Sequence, residues 1–547
     1  MSERLQGLPF LTTSFPFFRR EVYLFAMQSS ATQQLMRVWR HHGVIGIFDR
    51  VLTRAKSFLA LEDDAEERGG KLWLEKQRPL PRESYEKRIE QFEWHPLLSL
   101  LVPVCDPPIA FLQELLHSVQ EQVYENWELV LVDDASENST VREVLESAAA
   151  DDGRIKIHCK SQREHIAKTS QAALQVATGD YLGLLDHDDV LPLHALFHIV
   201  EALQHDREID ILYSDEAKMD SSGALHSPQV KPDWSPMYFR SFMYVGHLTV
   251  YSRTVIEAAG GFREGTDGSQ DYDLLLRASV RARKIVHIPR VLYYWREHQR
   301  SVASDVEAKG YAFDAARDAL RLALEREGRG ESLELVNGPY PGTILYRSKK
   351  RVPEILTWIE SESLEQLSQR VEALDSDAVY LTREGFPIPS EEELRYLAAP
   401  LEFSAVSAPL LVDSQQRMVV SAGHSRLPGK FLPNFQGQSL ARGGSGHRLY
   451  VPFEVDAVSL LGLCLSREVL LSLLSNSALA STSALVNSGA ILNIDNTSIV
   501  VVPQVRIVAK QALMKQPLTL LCGDPLKHFY PIGYATSEAS FQFSSAR

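Results

Sequence analysis

From about residue 96 the chain alternates short apolar, β-branched runs with stretches of helical periodicity. Leu98-Ser-Leu-Leu-Val-Pro103-Val104 reads as a strand closed by Cys105-Asp106-Pro107-Pro108, and an amphipathic helix is expected from Phe111 to Gln122. Glu128-Leu-Val-Leu-Val132 repeats the strand pattern and runs into the loop Asp133-Asp134-Ala135-Ser136. A helix over Val141–Ala150 and a strand at Ile155-Lys-Ile-His-Cys159 follow. Alternation of this kind implies βαβ units and a parallel sheet, whose ligands bind outside the carboxyl ends of the strands. The acidic loop at 133–134 falls on that rim.

A second acidic loop should fall there too. Asp180-Tyr-Leu-Gly-Leu-Leu-Asp186-His-Asp188-Asp189 is a strand that ends in three carboxylates within four positions. Asp suits Mg²⁺ or Mn²⁺ held through one or two carboxylates with phosphate completing the shell, so the ligand implied is a nucleotide diphosphate. The alternative is local: Asp188 or Asp189 could cap a helix suggested by Leu191-Pro192-Leu193-His194-Ala195-Leu196, and Asp133 and Asp134 could be turn and N-cap residues.

Composition changes the picture mainly by exclusion. At 547 residues the chain should hold more than one domain, and its formal net charge of −14 argues against nucleic acid as the main partner. Cys105, Cys159, Cys464 and Cys522 show no metal or disulfide spacing and read as reduced packing residues of a cytoplasmic protein. No secretory leader is evident, and no uncharged apolar run approaches the roughly 20 residues that span a bilayer. The first 60 residues stand apart, with eight Lys or Arg against three Asp or Glu. Their basic residues interleave with apolar ones as in an amphipathic helix, which could lie peripherally on the inner face of the cytoplasmic membrane, or dock on the catalytic domain or a partner subunit. Residues 61–95 read as a charged linker leading into a helix.

With these residues in place, the chain resembles the family 2 inverting glycosyltransferases. The resemblance rests on LLVPV at 100–104, VDDAS at 132–136, LLDHDD at 184–189 and Gly268-Ser269-Gln270-Asp271-Tyr272-Asp273-Leu274, in the family's order over about 96–305. Tyr213-Ser-Asp215-Glu216 and Lys231-Pro-Asp-Trp234-Ser-Pro236 are similar to bacterial surface-polysaccharide, O-antigen-type members. The resemblance implies an α/β GT-A fold (nucleotide-diphospho-sugar transferase, Rossmann-like), a nucleotide-diphosphate sugar donor, a glycan or lipid-linked glycan acceptor, and Mg²⁺ or Mn²⁺. Carried over by position, Pro103, Asp133, Asp134, Asp186 and Arg296 would serve the nucleotide, and Asp186, Asp188 and His298 the metal. Asp134 would meet the base, with Asp133 supporting its loop. Asp271 matches the family's catalytic base, although Gln270 stands where many members have Glu. Ser269 or Asp271 could instead cap a helix beginning at Tyr272. Arg296 and His298 lie in Trp295-Arg-Glu-His-Gln-Arg300-Ser301, similar to a motif that approaches the diphosphate, or else a solvated basic surface.

A helical pattern from Ala308 to Glu327 closes the catalytic domain, expected over 96–335. Residues 345–547 hold a fainter echo, read as a degenerate GT-A-like domain or an α+β module. Asp377-Ala-Val-Tyr-Leu381 is placed like an acidic-motif strand, but Thr382-Arg383-Glu384 replaces the carboxylate pair, and the stretch around Asp495 offers no partner for one. Three functions stay open. One is a metal-dependent glycosyltransferase of surface-glycan synthesis. The second, a nucleotidyltransferase, would need a Gly-rich phosphate loop that Cys105-Asp-Pro-Pro108 cannot form. The third is a non-catalytic glycan-binding or scaffolding protein, disfavoured by Asp186, Asp188 and Asp271.

Overall fold

A computed structural model describes residues 70, 72–75, 77–297, 308–358 and 362–412, then 419–421, 424–427, 430–433, 450–455, 458–459, 462–475, 490–492, 499–508 and 519–520. The basic segment 1–60, His298, Arg300, Asp495 and Cys522 lie outside the described residues.

Helix α1 (Arg82–Ile89) leads into an alternation of strands and helices: β1 (Leu98–Val104), α2 (Ile109–Gln120), β2 (Trp127–Asp133), α3 (Ser139–Asp151), β3 (Ile155–Cys159), α4 (His165–Val176), β4 (Tyr181–Leu184) and α5 (Ala195–His205). The second half is mixed: β5 (Ile211–Met219), β6 (Leu225–Gln229), α6 (Pro236–Ser241), β7 (Thr249–Ser252), α7 (Arg253–Ala258), α8 (Gln270–Ser279), β8 (Ile285–Arg296) and α9 (Ala308–Arg326). The sheet runs β3-β2-β1-β4-β7-β5-β6, with β8 beside β5. β1 is parallel to β2 and β4, whereas β7 is antiparallel to β4 and β5. Every residue of β2 is buried, as continuous apolar strands require when helices cover both faces. Leu101, Val130, Val132 and Leu182 join one core; Leu100, Val102, Leu129 and Leu131 join the other. This is the α/β GT-A arrangement expected. It brings the ends of β1, β2 and β4 to one rim.

The boundary expected between 335 and 345 falls inside a hairpin, where β9 (Leu333–Asn337) pairs antiparallel with β10 (Ile344–Ser348). Beyond it lie β11 (Glu354–Trp358), α10 (Leu364–Glu372), β12 (Ala378–Arg383), α11 (Glu391–Ala398), β13 (Val406–Val412), β14 (Val419–Ser421), β15 (Phe453–Val455), β16 (Leu463–Ser466), α12 (Arg467–Ser475) and β17 (Ile499–Val508). The C-terminal sheet runs β11-β12-β16-β13-β17-β15, with β14 on β13.

This order repeats β1-β4-β7-β5-β8, with β6 on β5, in the first sheet. The strand directions agree pair by pair: β11 is parallel to β12, β16 is antiparallel to β12 and β13, and β17 is parallel to β13. Even the irregularity recurs. The β5–β8 register shifts after the fourth residue of β5, Ser214, and the β13–β17 register after the fourth residue of β13, Pro409. The strand-to-helix turns agree as well, since the Arg253 N–H donates to the Asp180 carbonyl at 2.9 Å and the Arg467 N–H to the Asp377 carbonyl at 2.8 Å. Counting from Asp180 and Asp377, Asp186 corresponds to Arg383 and Asp188 to Gly385. Among the described residues, the second sheet has no counterpart of the β2 and β3 units.

Candidate active site

The rim is assembled by loops that hold one another through side chains. Asp133, the last residue of β2, accepts the Ser136 hydroxyl at 2.5 Å, closing the turn in which Ala135 takes φ 55°. The next residue, Asp134, is buried, and its two oxygens accept the N–H groups of Glu164 and His165, each at 2.9 Å. Helix α3 starts behind Asn138, whose side chain caps it, so neither aspartate is an N-cap. Asp134 therefore ties the β2 rim to the start of α4. At the end of β1, the Pro103 carbonyl lies 3.1 Å from Nδ1 of His187, which couples this strand to the acidic loop.

The three carboxylates after β4 separate by environment. Asp189 is buried, accepting the Tyr293 hydroxyl at 2.6 Å and the Arg296 N–H at 2.7 Å. Burial and the charges of Asp186 and Asp188 push its carboxyl well above the usual range. It anchors the loop to the end of β8. Helix α5 starts behind His194, without a side-chain cap, so neither Asp188 nor Asp189 has the capping role. Arg296 lies beneath the loop: its Nε donates to the Asp188 carbonyl at 2.8 Å, its guanidinium pairs with Glu114 and stacks over Phe111 at 4.3 Å. It fixes the path of the acidic loop.

Asp186 keeps 45% of its side chain exposed. Burial by the surrounding walls raises its carboxyl, His247 opposes the rise, and Asp188 adds to it. Opposite stands His247, with Nε2 3.5 Å from Oδ2 of Asp186 and its ring stacked on Tyr293 at 4.6 Å. Its backbone N–H donates to Glu216 at 2.8 Å, and Glu216 also takes the buried Lys231 ammonium at 3.0 Å. Burial alone would pull the imidazole down, but Glu216, Asp186 and Asp189 hold it up at about 10. The preceding Gly246 has φ +48°, and a Cβ there would meet the Glu216 carboxylate at 2.9 Å, so glycine is required for the approach.

Asp271 sits in the first turn of α8, which begins at Gln270 rather than Tyr272. Its Oδ1 accepts the Tyr272 N–H at 2.8 Å. Burial raises its carboxyl, the Tyr272 N–H and His247 lower it, and the negative charge of Asp186 raises it again. The structure thus brings Asp186, His247 and Asp271 into one electrostatic neighbourhood. Gln270 accepts the Gly268 N–H at 3.0 Å and so shapes the loop ahead of the helix. Ser269 makes no capping bond; its hydroxyl donates to the Ala312 carbonyl at 2.8 Å. Asp273 is engaged by Arg263 and Arg277 in the interior.

The residues bear on a metal as follows. Among the described residues, no three His, Cys, Asp or Glu side chains are grouped to hold an ion. Asp186 and Asp188 offer two hard oxygen donors that repel each other, an arrangement a divalent cation would relieve with phosphate oxygens filling its shell.

Residues 99–258 match the family model described as Glycosyl transferase family 2. The matched residues run from β1 to the end of α7. The chain is 40% identical over 248 residues to the uncharacterized protein y4gI of Sinorhizobium fredii, covering 45% of this chain and 27% of that one. It is 37% identical over 275 residues to the O-antigen biosynthesis protein RfbC of Myxococcus xanthus, covering 50% and 21%. The chain thus spans about a quarter of the length of these relatives. A solved structure of S. aureus TarS 1-349 in complex with UDP-GlcNAc aligns over 42% of this chain and 66% of that one, at 18% identity and TM-score 0.35. No described helix is long and apolar enough to cross a membrane.

The motifs of the sequence single out Asp186, Asp188 and Asp271. They give no sign that Glu216 and Lys231 support His247. Tyr293, whose ring carries His247 and whose hydroxyl holds Asp189, was part of no motif.

Proposed function

We propose that this chain transfers a sugar from a nucleotide-diphosphate sugar to a hydroxyl of a bacterial surface glycan, free or lipid-linked, with inversion at the anomeric carbon. The observation that carries the reading is the convergence of Asp271, at the start of α8, with Asp186 on the rim after β4, across His247. A scaffold would have no need to set two carboxylates held above their usual range, Asp186 and Asp271, against one histidine.

Asp271 is the general base. It takes the proton from the acceptor hydroxyl as that oxygen attacks the anomeric carbon from the face opposite the diphosphate, a role worth about 10²–10⁴-fold. Its raised carboxyl is better matched to an alcohol proton than an ordinary aspartate, and the Tyr272 N–H holds its Oδ1. Asp186 and Asp188 would hold Mg²⁺ or Mn²⁺, which when bound supplies charge neutralisation for the departing diphosphate. Asp134 and Asp133 shape the nucleoside end of the cleft by ordering the 133–136 and 160–165 loops, and Arg296 positions the acidic loop from below. The O-antigen role of the Myxococcus relative supports a surface-glycan acceptor.

A screen of UDP-, GDP- and dTDP-sugars with Mn²⁺, read by thermal shift and by release of nucleoside diphosphate, tests the proposal. A ligand at 100 times its dissociation constant should stabilise the chain by about 2.7 kcal/mol. No shift and no release with any donor would refute it and favour the scaffold.

A further inference from the structure

The C-terminal sheet reaches the candidate active site through one buried carboxylate. Glu454, in the middle of β15, accepts the Ser235 hydroxyl, the Met237 N–H at 2.6 Å and the Tyr238 N–H at 3.4 Å. These are the first N–H groups of α6, which otherwise have no intrahelical partner. At the other end of this short helix, the Tyr272 hydroxyl donates to the carbonyls of Phe239 and Arg240 at 2.9 and 3.0 Å, and Tyr346 on β10 donates to the Arg240 carbonyl at 3.0 Å. The Phe239 ring meets Tyr272 edge-on at 5.1 Å. Tyr272 is the residue whose N–H holds Asp271. An unbroken series of buried contacts therefore runs from Glu454 through α6 and Tyr272 to Asp271.

We infer that Glu454 is a positioning residue for the base, and that the C-terminal lobe serves the transfer reaction by clasping α6. The inference rests on the transferase reading of the cleft. Its chemistry suits the lobe. Arg383 and Gly385 occupy the places of Asp186 and Asp188, so the repeated sheet has no carboxylate pair there for a cation, yet its added edge strand β15 delivers a carboxylate to a helix that bears on Tyr272. Just ahead of α6, Ser235 donates its hydroxyl to Glu454 and the Trp234 ring packs on Phe239 at 4.9 Å. A shift of about 1 Å in a base is enough to lower a rate by about a hundredfold.

The test uses the full chain with Glu454→Ala, Glu454→Gln, Tyr272→Phe and the Glu454→Ala/Tyr272→Phe pair. Glu454→Ala should lower kcat about tenfold to a hundredfold, raise the acceptor KM, and leave the Mn²⁺-dependent donor dissociation constant within about twofold. Glu454→Gln, which still accepts the Met237 N–H, should recover most of the rate. The double variant should be little worse than either single one, because both cut the same series of contacts. Hydrogen exchange supplies a readout that needs no turnover: loss of protection at 236–242 in Glu454→Ala should extend to 268–275. Should Glu454→Ala fail to fold, Ser235→Ala takes its place in the same comparison. Additive losses, or loosening confined to 236–242 with kcat unchanged, would overturn the inference. A wild-type chain that binds no nucleotide sugar would instead overturn the transferase reading, and the exchange data would still decide the clasp.

Discussion

His247 faces Asp186 across the cleft, Nε2 to Oδ2 3.5 Å, while its ring lies flat on Tyr293. Tyr293 in turn donates its hydroxyl to Asp189, so one aromatic ring both carries the cationic wall of the cleft and anchors the acidic loop.

The two functional carboxylates should separate by assay. Asp188→Asn should abolish metal-dependent donor binding in a titration with Mn²⁺. Asp271→Asn should leave that binding nearly intact and lower transfer about 10²–10⁴-fold, because a base acts mainly as the acceptor loses its proton. Wild-type turnover by Asp271→Asn would show the base assignment to be wrong.

Asp189 should behave as an anchor. Asp189→Ala leaves the buried Tyr293 hydroxyl and Arg296 N–H without their acceptor, at a cost of about 1–3 kcal/mol. The measurement is the denaturation midpoint in the absence of ligand. A neutral effect on stability with loss of metal binding would place Asp189 among the ligands instead.

Stability should fall in mild acid through His194. It is buried, its ring stacks on Tyr85, and burial, with Arg290 adding to it, pulls it down to about 4. Its folded value lies below the unfolded one, so the neutral form carries no penalty above pH about 6.5. As pH falls toward 4 the unfolded chain takes up a proton that the folded chain refuses, a loss on the order of 3 kcal/mol. Replacing His194 with Phe should make this limb shallower in urea titrations between pH 6.5 and 4, the remainder coming from His198, which burial pulls down to about 2; an unchanged slope would sink the assignment.

The C-terminal lobe should catalyse nothing by itself. Arg383 stands where Asp186 stands in the first sheet, and a guanidinium repels the cation a transferase site would hold. Glu384→Ala should therefore leave kcat and donor KM unchanged, since Glu384 is exposed at the turn after β12. A drop in kcat with the melting temperature preserved would mean that this lobe takes part in the chemistry.

The sequence by itself determined the strands of the parallel half of the first sheet, β1 to β4, because parallel strands buried on both faces must be continuously apolar; the mixed half, β5 to β8, carried no comparable pattern. It also placed Asp186, Asp188 and Asp271 at strand and helix ends, where short carboxylates are otherwise costly. Even the echo at Asp377–Leu381 was legible as an acidic-motif strand without its acids. What the sequence could not separate was the work of neighbouring carboxylates. Asp188 and Asp189 are adjacent in the chain, yet one is half-buried and the other is sealed under Tyr293 and Arg296, residues more than a hundred positions away. Arg296 was expected beside the diphosphate, and tertiary structure commits its guanidinium to Glu114 and Phe111. Glu454 carried no signal at all, for a lone glutamate in a strand acquires meaning only when the fold sets it against the N-terminus of a helix 219 residues earlier. Periodicity is local and survives in one dimension; the partner that fixes a charge is chosen by packing.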